Sequence, residues 1–465
     1  MGPSTADNRD PSSRADRENP KPLSERSPSA GSTWPFTLYA GFVAFACYFC
    51  MYGLRKPIDA IVMIGEKYPG TLLDLKTACV LGQIAGYLLS KYAGAKICSQ
   101  ASRVQRARLL AVAGIIAEIA FLGFAVSPVA LQPLLAFANG LPLGIVWGLV
   151  VRHLEGRRTS DLLLVMLSGS YILAGAFTKD TCLWLMEHQS LSEAWAPATT
   201  GLLFLGPYLF FVFLLNRLPR PDSKDVEERS ERADLDAAGR RAFLKRMGWG
   251  FGPLLLSYFL LTAYREFRDH YGREILRGLE QESFPGIFTW TERWSLLAAL
   301  GSLGLVNLIR DHTRALNAVM SFVVGGFATI GLATLAFQLN YCSTLAWMTL
   351  VGMGLYLAYV PFGTVLFERL VAASRFAGTS VFAVQLADGI GYTGSFLVQL
   401  CRDLFFSGFN RSEFFLGLSW LVSVLGTILA LSGYLSARAR FSEPQRIGPQ
   451  PMAPPPATPL NSPAR

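Results

Sequence analysis

Two short stretches of this sequence place arginine where an ionised side chain is costly. Tyr48-Phe49-x5-Arg55-x3-Asp59 closes one long apolar run, and Tyr258-Phe259-x5-Arg265-x3-Asp269 repeats the pattern near the end of another. A guanidinium is a planar fork of N–H donors that matches an oxyanion bidentately. Two such forks converging on one pocket would hold a phosphate, sulfate or carboxylate. Two plainer readings stand beside this one. Both arginines could reach from helix ends to lipid headgroups, or each could pair with the aspartate four residues on.

Other ionisable residues in apolar runs are functional candidates by the same cost argument. Lys91 either lines an anion path or snorkels to headgroups. Lys179 and Asp180 are adjacent and point about 100° apart on a helix, so at most one faces a cavity, and Lys179 suits an anion site. Asp388 lies near the middle of its run, ahead of Gly389, Gly391 and Gly394. It reads as a proton-binding carboxylate, a charge-balancing partner, a contact for a substrate hydroxyl, or a structural pair with Lys179 or Arg55. Glu292 and Arg293 open a run and mark an interface. Of the tyrosines Tyr48, Tyr52, Tyr258, Tyr264, Tyr356, Tyr359 and Tyr392, the two beside the arginines, Tyr52 and Tyr264, are the ones expected to touch a solute. His153, His188, His270 and His312 fall near span ends, with no spacing that suggests a metal or a catalytic cluster.

The elements that must position these residues are membrane helices. Of 465 residues, 51% are hydrophobic and 16% charged, well below the roughly 25% charged of soluble domains. The net charge of +9 is scattered in short runs between apolar stretches, which argues against a nucleic-acid partner and for juxtamembrane anchoring. Seven cysteines, mostly inside apolar runs, do not form a disulfide framework; the Cys47-x-x-Cys50 pair reads as packing. With about 20 apolar residues needed per crossing, twelve spans are expected. They lie near 35–63, 74–95, 108–127, 129–152, 161–186, 196–217, 248–270, 288–310, 315–337, 343–367, 376–401 and 412–437. The expectation is an all-α integral membrane protein of two pseudo-symmetric six-helix halves, 34–217 and 248–437. A densely charged cytoplasmic linker, 218–247, joins them; a polar tail, 1–33, and a proline-rich tail, 438–465, flank them. No cleavable leader is expected. The Lys/Arg bias of short loops puts both termini in the cytoplasm of a multi-pass cell-membrane protein.

Two six-span halves invite a search for internal repetition. The arginine motif pairs span one with span seven, and "GLPLGIV" from Gly140 pairs with "GLYLAYV" from Gly354 in spans four and ten. Duplication with parallel halves would put Arg55 and Arg265 at one depth, facing across a central cavity.

Over nearly all its spans the chain resembles the major facilitator superfamily, and within it the organophosphate:phosphate antiporters, which carry glycerol phosphate and hexose phosphates. "YGLRKP" at Tyr52 and "LTAYREFRD" at Leu261 look like that branch's phosphate-binding arginine segments. "LLSKYAGAKICSQ" from Leu88, "NGLPLGIVWG" from Asn139 and "GTSVFAVQLADGIGYTGS" from Gly378 are similar to its second, fourth and eleventh helices. The superfamily's Gly-x-x-x-Asp-Arg loop is degraded to "GAKICSQASR", without the acid. The histidine of the branch's fifth helix is replaced by a region reading "SGSYILAG", with Tyr171 nearest its place. The chain also looks like a largely uncharacterised membrane family within the superfamily.

The leading expectation is an alternating-access carrier, working as a monomer, for a small anionic organic solute, with exchange against phosphate as one form. Arg55, Arg265, Tyr52, Tyr264, Lys91 and Lys179 would bind the solute and Asp388 would set charge balance. One rival is proton-coupled movement of a neutral or cationic compound through Asp388. The other is a non-transporting solute sensor of the same fold. No cofactor, metal or enzymatic constellation is indicated, and no GxxxxGK[ST] phosphate loop occurs.

Overall fold

The computed structural model describes residues 34–63, 66–154, 157, 159–219, 241, 251–309, 311–367, 370 and 381–442. Nearly all of the 218–247 linker and the tails 1–33 and 443–465 lie outside these. Fourteen α-helices are described: α1 Trp34–Gly53, α2 Leu75–Gln100, α3 Arg103–Val126, α4 Gln132–Leu143, α5 Val146–Leu154, α6 Ser160–His188, α7 Ala196–Arg217, α8 Phe251–His270, α9 Gly272–Gly278, α10 Ile287–Asn307, α11 His312–Gln338, α12 Thr344–Pro361, α13 Val381–Phe405 and α14 Arg411–Ser442. With α4 and α5 forming one interrupted crossing, and the short α9 lying outside the count, they make the twelve expected spans.

Eight crossings are long and apolar enough to span a membrane on composition alone. The four that are not, α2, α8, α10 and α13, carry Lys91, Arg265 with Glu266, Glu292 with Arg293, and Asp388. Apolarity fails where the candidate site lies.

Each half gathers its own core. One is built from α1 to α7 around residues such as Tyr48, Leu54, Leu143 and Tyr208. The other is built from α8 to α14 around Phe267, Phe327, Trp347 and Phe415 and draws in part of α6. The second internal echo has a packing cause. A Cβ on Gly140 would stand 2.2 Å from the Gln83 carbonyl oxygen of α2, and one on Gly354 would stand 2.7 Å from the Gly326 carbonyl oxygen of α11. Both glycines allow two helix backbones to touch, though against non-equivalent neighbours.

Two helices break where proline removes a donor, although α7 runs on through Pro207. Pro142 and Gly144 end α4 before α5 resumes, and Pro361 is followed by a π-turn over Phe362–Leu366. The first span is shorter than the expected 35–63. Gly53 and Pro57 bracket a turn in which the Arg55 and Lys56 amides both bond the Tyr52 carbonyl oxygen, and Pro57–Ala60 continues as a 3-10 turn. This unwinding is at membrane depth. Gln83, whose amide donates to the Arg55 carbonyl oxygen at 2.9 Å, is eight residues or about 12 Å into α2.

Candidate functional site

An unwound turn inside a membrane exposes carbonyl groups that need partners. Two fully buried amides of neighbouring helices supply them. Asn139 donates to the Leu54 and Ala117 carbonyl oxygens, each at 2.9 Å, and Gln83 bonds both Arg55 O and Asn139 Oδ1. Held this way, the turn projects Arg55 into the seam between the halves, where its guanidinium lies 3.9 Å from the centre of the Tyr87 ring. Arg265 comes from the other half on α8 and lies over Tyr359 at 4.7 Å. Arg55 is 1% exposed and Arg265 8%. Neither reaches to headgroups.

The two arginines do converge on one oxyanion, but it is the protein's own. Glu266 Oε1 pairs with Arg265, and Glu266 Oε2 stands 3.9 Å from Arg55 Nη2. Among the described residues, three donor atoms of the pair have no hydrogen-bond partner: Arg55 Nε, Arg55 Nη2 and Arg265 Nε, all buried. Tyr52 and Tyr392 each lie near both guanidiniums.

Charged groups continue along the seam on the side where α1 ends. Lys56 pairs with Asp59 at 2.9 Å and, across the halves, with Asp269 at 2.6 Å. Lys179 of α6 meets the other oxygen of Asp269 at 2.6 Å. His270 bonds Asp59 across the seam at 2.7 Å and has Nε2 3.1 Å from Glu266 Oε2. Farther out, Lys76 pairs with Glu274 at 2.5 Å. At the rim Asp74 takes both Arg402 and Arg411, at 2.8 and 2.9 Å. On the opposite side of the arginine pair, Lys91 bonds Asp388 at 2.8 Å and Tyr258 donates to the same carboxylate at 3.0 Å.

These contacts correct several expectations. The local arginine–aspartate pairs do not form, because the helix carrying Arg55 has already ended at Gly53, and Asp59 and Asp269 take lysines and His270. Asp388 pairs with Lys91, not with Lys179 or Arg55. Tyr264 does not stand beside the arginines. Its hydroxyl bonds Ser419 at 2.9 Å and its ring stacks on Phe415 inside the second core. Tyr52 does belong to the seam: a Cβ on Gly175 would lie 3.7 Å from its ring and 3.6 Å from Asp269 Oδ1. Asp180 accepts from the Phe288 and Thr289 amides at the start of α10, so Lys179 alone of that pair reaches the charged cluster.

Four participants escaped the sequence reading. Glu266 was detectable, as a carboxylate beside Arg265 in an apolar run. Lys56 was visible only as the neighbour of Arg55. Tyr87 and His270 each have a local neighbour four residues away, Lys91 and Glu266, but the partners that bring them into the seam, Arg55 and Asp59, come from distant parts of the chain.

Residues 65–438, a stretch that takes in Arg265, Glu266 and His270, match one family. The chain belongs to DUF5690, a family of unknown function. No curated protein matches it. Among solved structures it is similar to a bacterial homologue of the human lysosomal transporter Spinster in an inward-facing, unoccupied conformation, with TM-score 0.58, 13% identity, and 88% of this chain and 98% of that chain covered. It is also similar to the nucleoside transporter NupG, with TM-score 0.56, 12% identity and coverage of 88% and 100%. The inward-open xylose transporter XylE from E. coli gives TM-score 0.55, 14% identity and coverage of 86% and 95%. At these identities the likeness is one of fold. This DUF5690 chain has the major facilitator fold, a multi-pass membrane architecture of twelve helices in two halves.

Proposed function

We propose that the protein carries a small organic anion across the membrane by alternating access, with Arg55 and Arg265 as its anion-binding pair. The observation that carries this reading is a surplus of buried positive charge. Among the described residues around the pair, four cations (Arg55, Lys56, Lys179 and Arg265) meet three carboxylates (Asp59, Glu266 and Asp269). A buried charge without a counter-charge is costly, and an anionic ligand removes that cost. The unpartnered guanidinium donors supply its hydrogen bonds.

Pairs that cross between the halves concentrate on the Arg55 side, so a solute there would enter or leave from the other. If the Lys/Arg bias of the loops gives the orientation, that side is the external one, and the conformation opens to the cytoplasm. The resemblance to organophosphate carriers favours a phosphate-bearing solute. Lys91 and Asp388 neutralise each other, which fits a charge-balancing role for Asp388 and weakens its case as a free coupling carboxylate.

The reading is tested by thermal stabilisation of purified protein with phosphate, sulfate, sugar phosphates and carboxylates, followed by uptake of any hit into proteoliposomes. Binding stabilises in proportion to ln(1 + [L]/Kd), so millimolar ligands register. Arg55→Lys and Arg265→Lys are each expected to lower uptake at least roughly tenfold, because an ammonium does not reproduce the fork. Wild-type rates in both variants would refute the pair's role.

A further inference from the structure

His270 is a histidine that the anion site does not use directly, and its surroundings are unusual. It is fully buried, on α8 of the second half. Its Nδ1 lies 2.7 Å from Asp59 Oδ1 of the first half, and its Nε2 lies 3.1 Å from Glu266 Oε2, one turn back on its own helix. A neutral imidazole offers one N–H and one lone pair. With carboxylates on both edges, a neutral ring must turn its lone pair towards an oxyanion. An imidazolium donates to both. The Nε2 edge has the slack: neither His270 Nε2 nor Glu266 Oε2 has an aligned hydrogen bond.

Every neighbouring element brings charge to the ring. The turn after α1 brings Asp59 and Lys56, joined at 2.9 Å. From α2, Lys76 donates to the Asp59 carbonyl oxygen at 3.2 Å. The ring's own helix brings Glu266 and Asp269, the latter held by Lys56 and by Lys179 of α6. Glu274 of α9 is occupied by Lys76. Arg55 and Arg265 also stand on Glu266, so among the described residues five cations meet four carboxylates, and what favours an arriving proton is the direct approach of a carboxylate oxygen to each ring nitrogen.

Glu266 connects this ring to the anion site. Its Oε2 is the atom shared between His270 at 3.1 Å and Arg55 Nη2 and Lys56 Nζ, both at 3.9 Å. We infer that His270 is a proton-binding site between the two halves, whose occupation fastens the Arg55 side and draws Glu266 away from the arginine pair, so that proton and anion bind cooperatively. No bond other than N–H forms. The proton settles on an imidazole nitrogen, its charge is shared by Asp59 and Glu266, and the arginines are left for the solute. The cooperative part rests on the anion reading above; the fastening part does not.

Two measurements on the full-length protein in nanodiscs test these parts separately. Spin labels at Leu72→Cys and Phe405→Cys, with the native cysteines replaced, report the distance between the halves on the Arg55 side. The closed population is expected to grow roughly fivefold or more relative to the open one between pH 8 and pH 5.5, the lower end of ordinary coupling between linked sites. His270→Gln, which keeps polarity but cannot titrate, is expected to abolish that response, and His270→Asn serves if the longer amide does not fold. A wild-type distance unmoved by pH, or a glutamine variant that keeps the response, overturns the proton site.

The second measurement is binding of sulfate and methanesulfonate, whose charge is constant over this range. Wild type is expected to bind one or both more tightly at pH 5.5 by a similar factor, and Glu266→Gln to bind without pH dependence. Binding independent of pH in wild type, or a Glu266→Gln variant that keeps the dependence, overturns the cooperativity alone. No binding of these or of the screened anions at any pH overturns the anion reading, while the distance measurement still decides the proton site.

Discussion

Asp269→Asn removes the one carboxylate that two ammonium groups of the first half share with the second. In the structure Asp269 Oδ2 is 2.6 Å from Lys56 Nζ and Oδ1 is 2.6 Å from Lys179 Nζ. The lysine side chains are 1% and 4% exposed and the aspartate 23%. An asparagine accepts from one lysine and presents its own N–H groups to the other. Lys56 retains Asp59 at 2.9 Å, whereas Lys179 retains only the backbone oxygen of residue 269 at 3.2 Å. Removing one member of a buried pair costs about 3–5 kcal/mol. Partial exposure and the second partner of Lys56 put the expected loss at the lower end, about 3 kcal/mol, or roughly two decades in an equilibrium constant. Denaturant unfolding in detergent measures it, and the Lys179→Met background supplies the control. Without the ammonium, the amide should cost far less, so the penalties should be strongly non-additive. A variant with the wild-type midpoint, or two penalties that simply add, would refute the shared-carboxylate account.

Two further outcomes follow from the same contacts. Asp74, in the loop ahead of α2, is pushed up by partial burial but held below the usual carboxylate range by the stronger pull of Lys67, Arg411 and Arg402. A carboxyl depressed on folding contributes stability above its unfolded value, near 4, and loses it as pH falls through the lower folded value. Asp74→Asn should therefore weaken the protein equally at pH 5.5 and pH 8, and an altered stability slope between those pH values would contradict the assignment. Tyr264→Phe should cost roughly 0.5–1.5 kcal/mol for the hydrogen bond to Ser419 and leave solute affinity unchanged. Tyr359→Leu, which removes the ring beneath Arg265, should raise KM. Equal KM effects from the two tyrosines would undo the placement of Tyr264 outside the site.

Span number and halves were legible because hydrophobic length is a one-dimensional property. The repetition of Arg55 and Arg265 at matching positions raised their inward placement but left snorkelling and local pairing open beside it. What the sequence hid was partnership. Arg55 and Asp59 have the spacing of a helical pair, yet Gly53 and Pro57 unwind the chain between the last helical turn and the aspartate, so the spacing no longer implies contact. Lys91 and Asp388, or Asp59 and His270, lie hundreds of residues apart and meet only because the two halves dock face to face. No local pattern encodes such a pair. Tyr264 failed for a geometric reason: the residue before Arg265 on a helix points about 100° away, into the core of its own half.

The distribution of charge argues that the seam is more than a clasp between the halves. A clasp needs matched pairs, as Lys76 with Glu274 is in the outer part of the seam; at the rim, where Asp74 and Asp403 take Lys67, Arg402 and Arg411, the extra cation is Lys67, whose side chain is exposed to water. At the arginine pair the matching stops. There, among the described residues, a surplus cation and three guanidinium donors without a hydrogen-bond partner are kept at the depth where an isolated charge is hardest to accommodate. The nearest carboxylate, Glu266, divides its two oxygens among Arg265, Arg55, Lys56 and His270 and is within hydrogen-bonding distance of only two of them. A side chain spread over four cationic or protonatable neighbours is readily displaced from any one of them. On the proposed reading, an oxyanion solute takes its place on the arginines and releases it towards His270, an exchange that a carrier site requires and a structural ion pair does not.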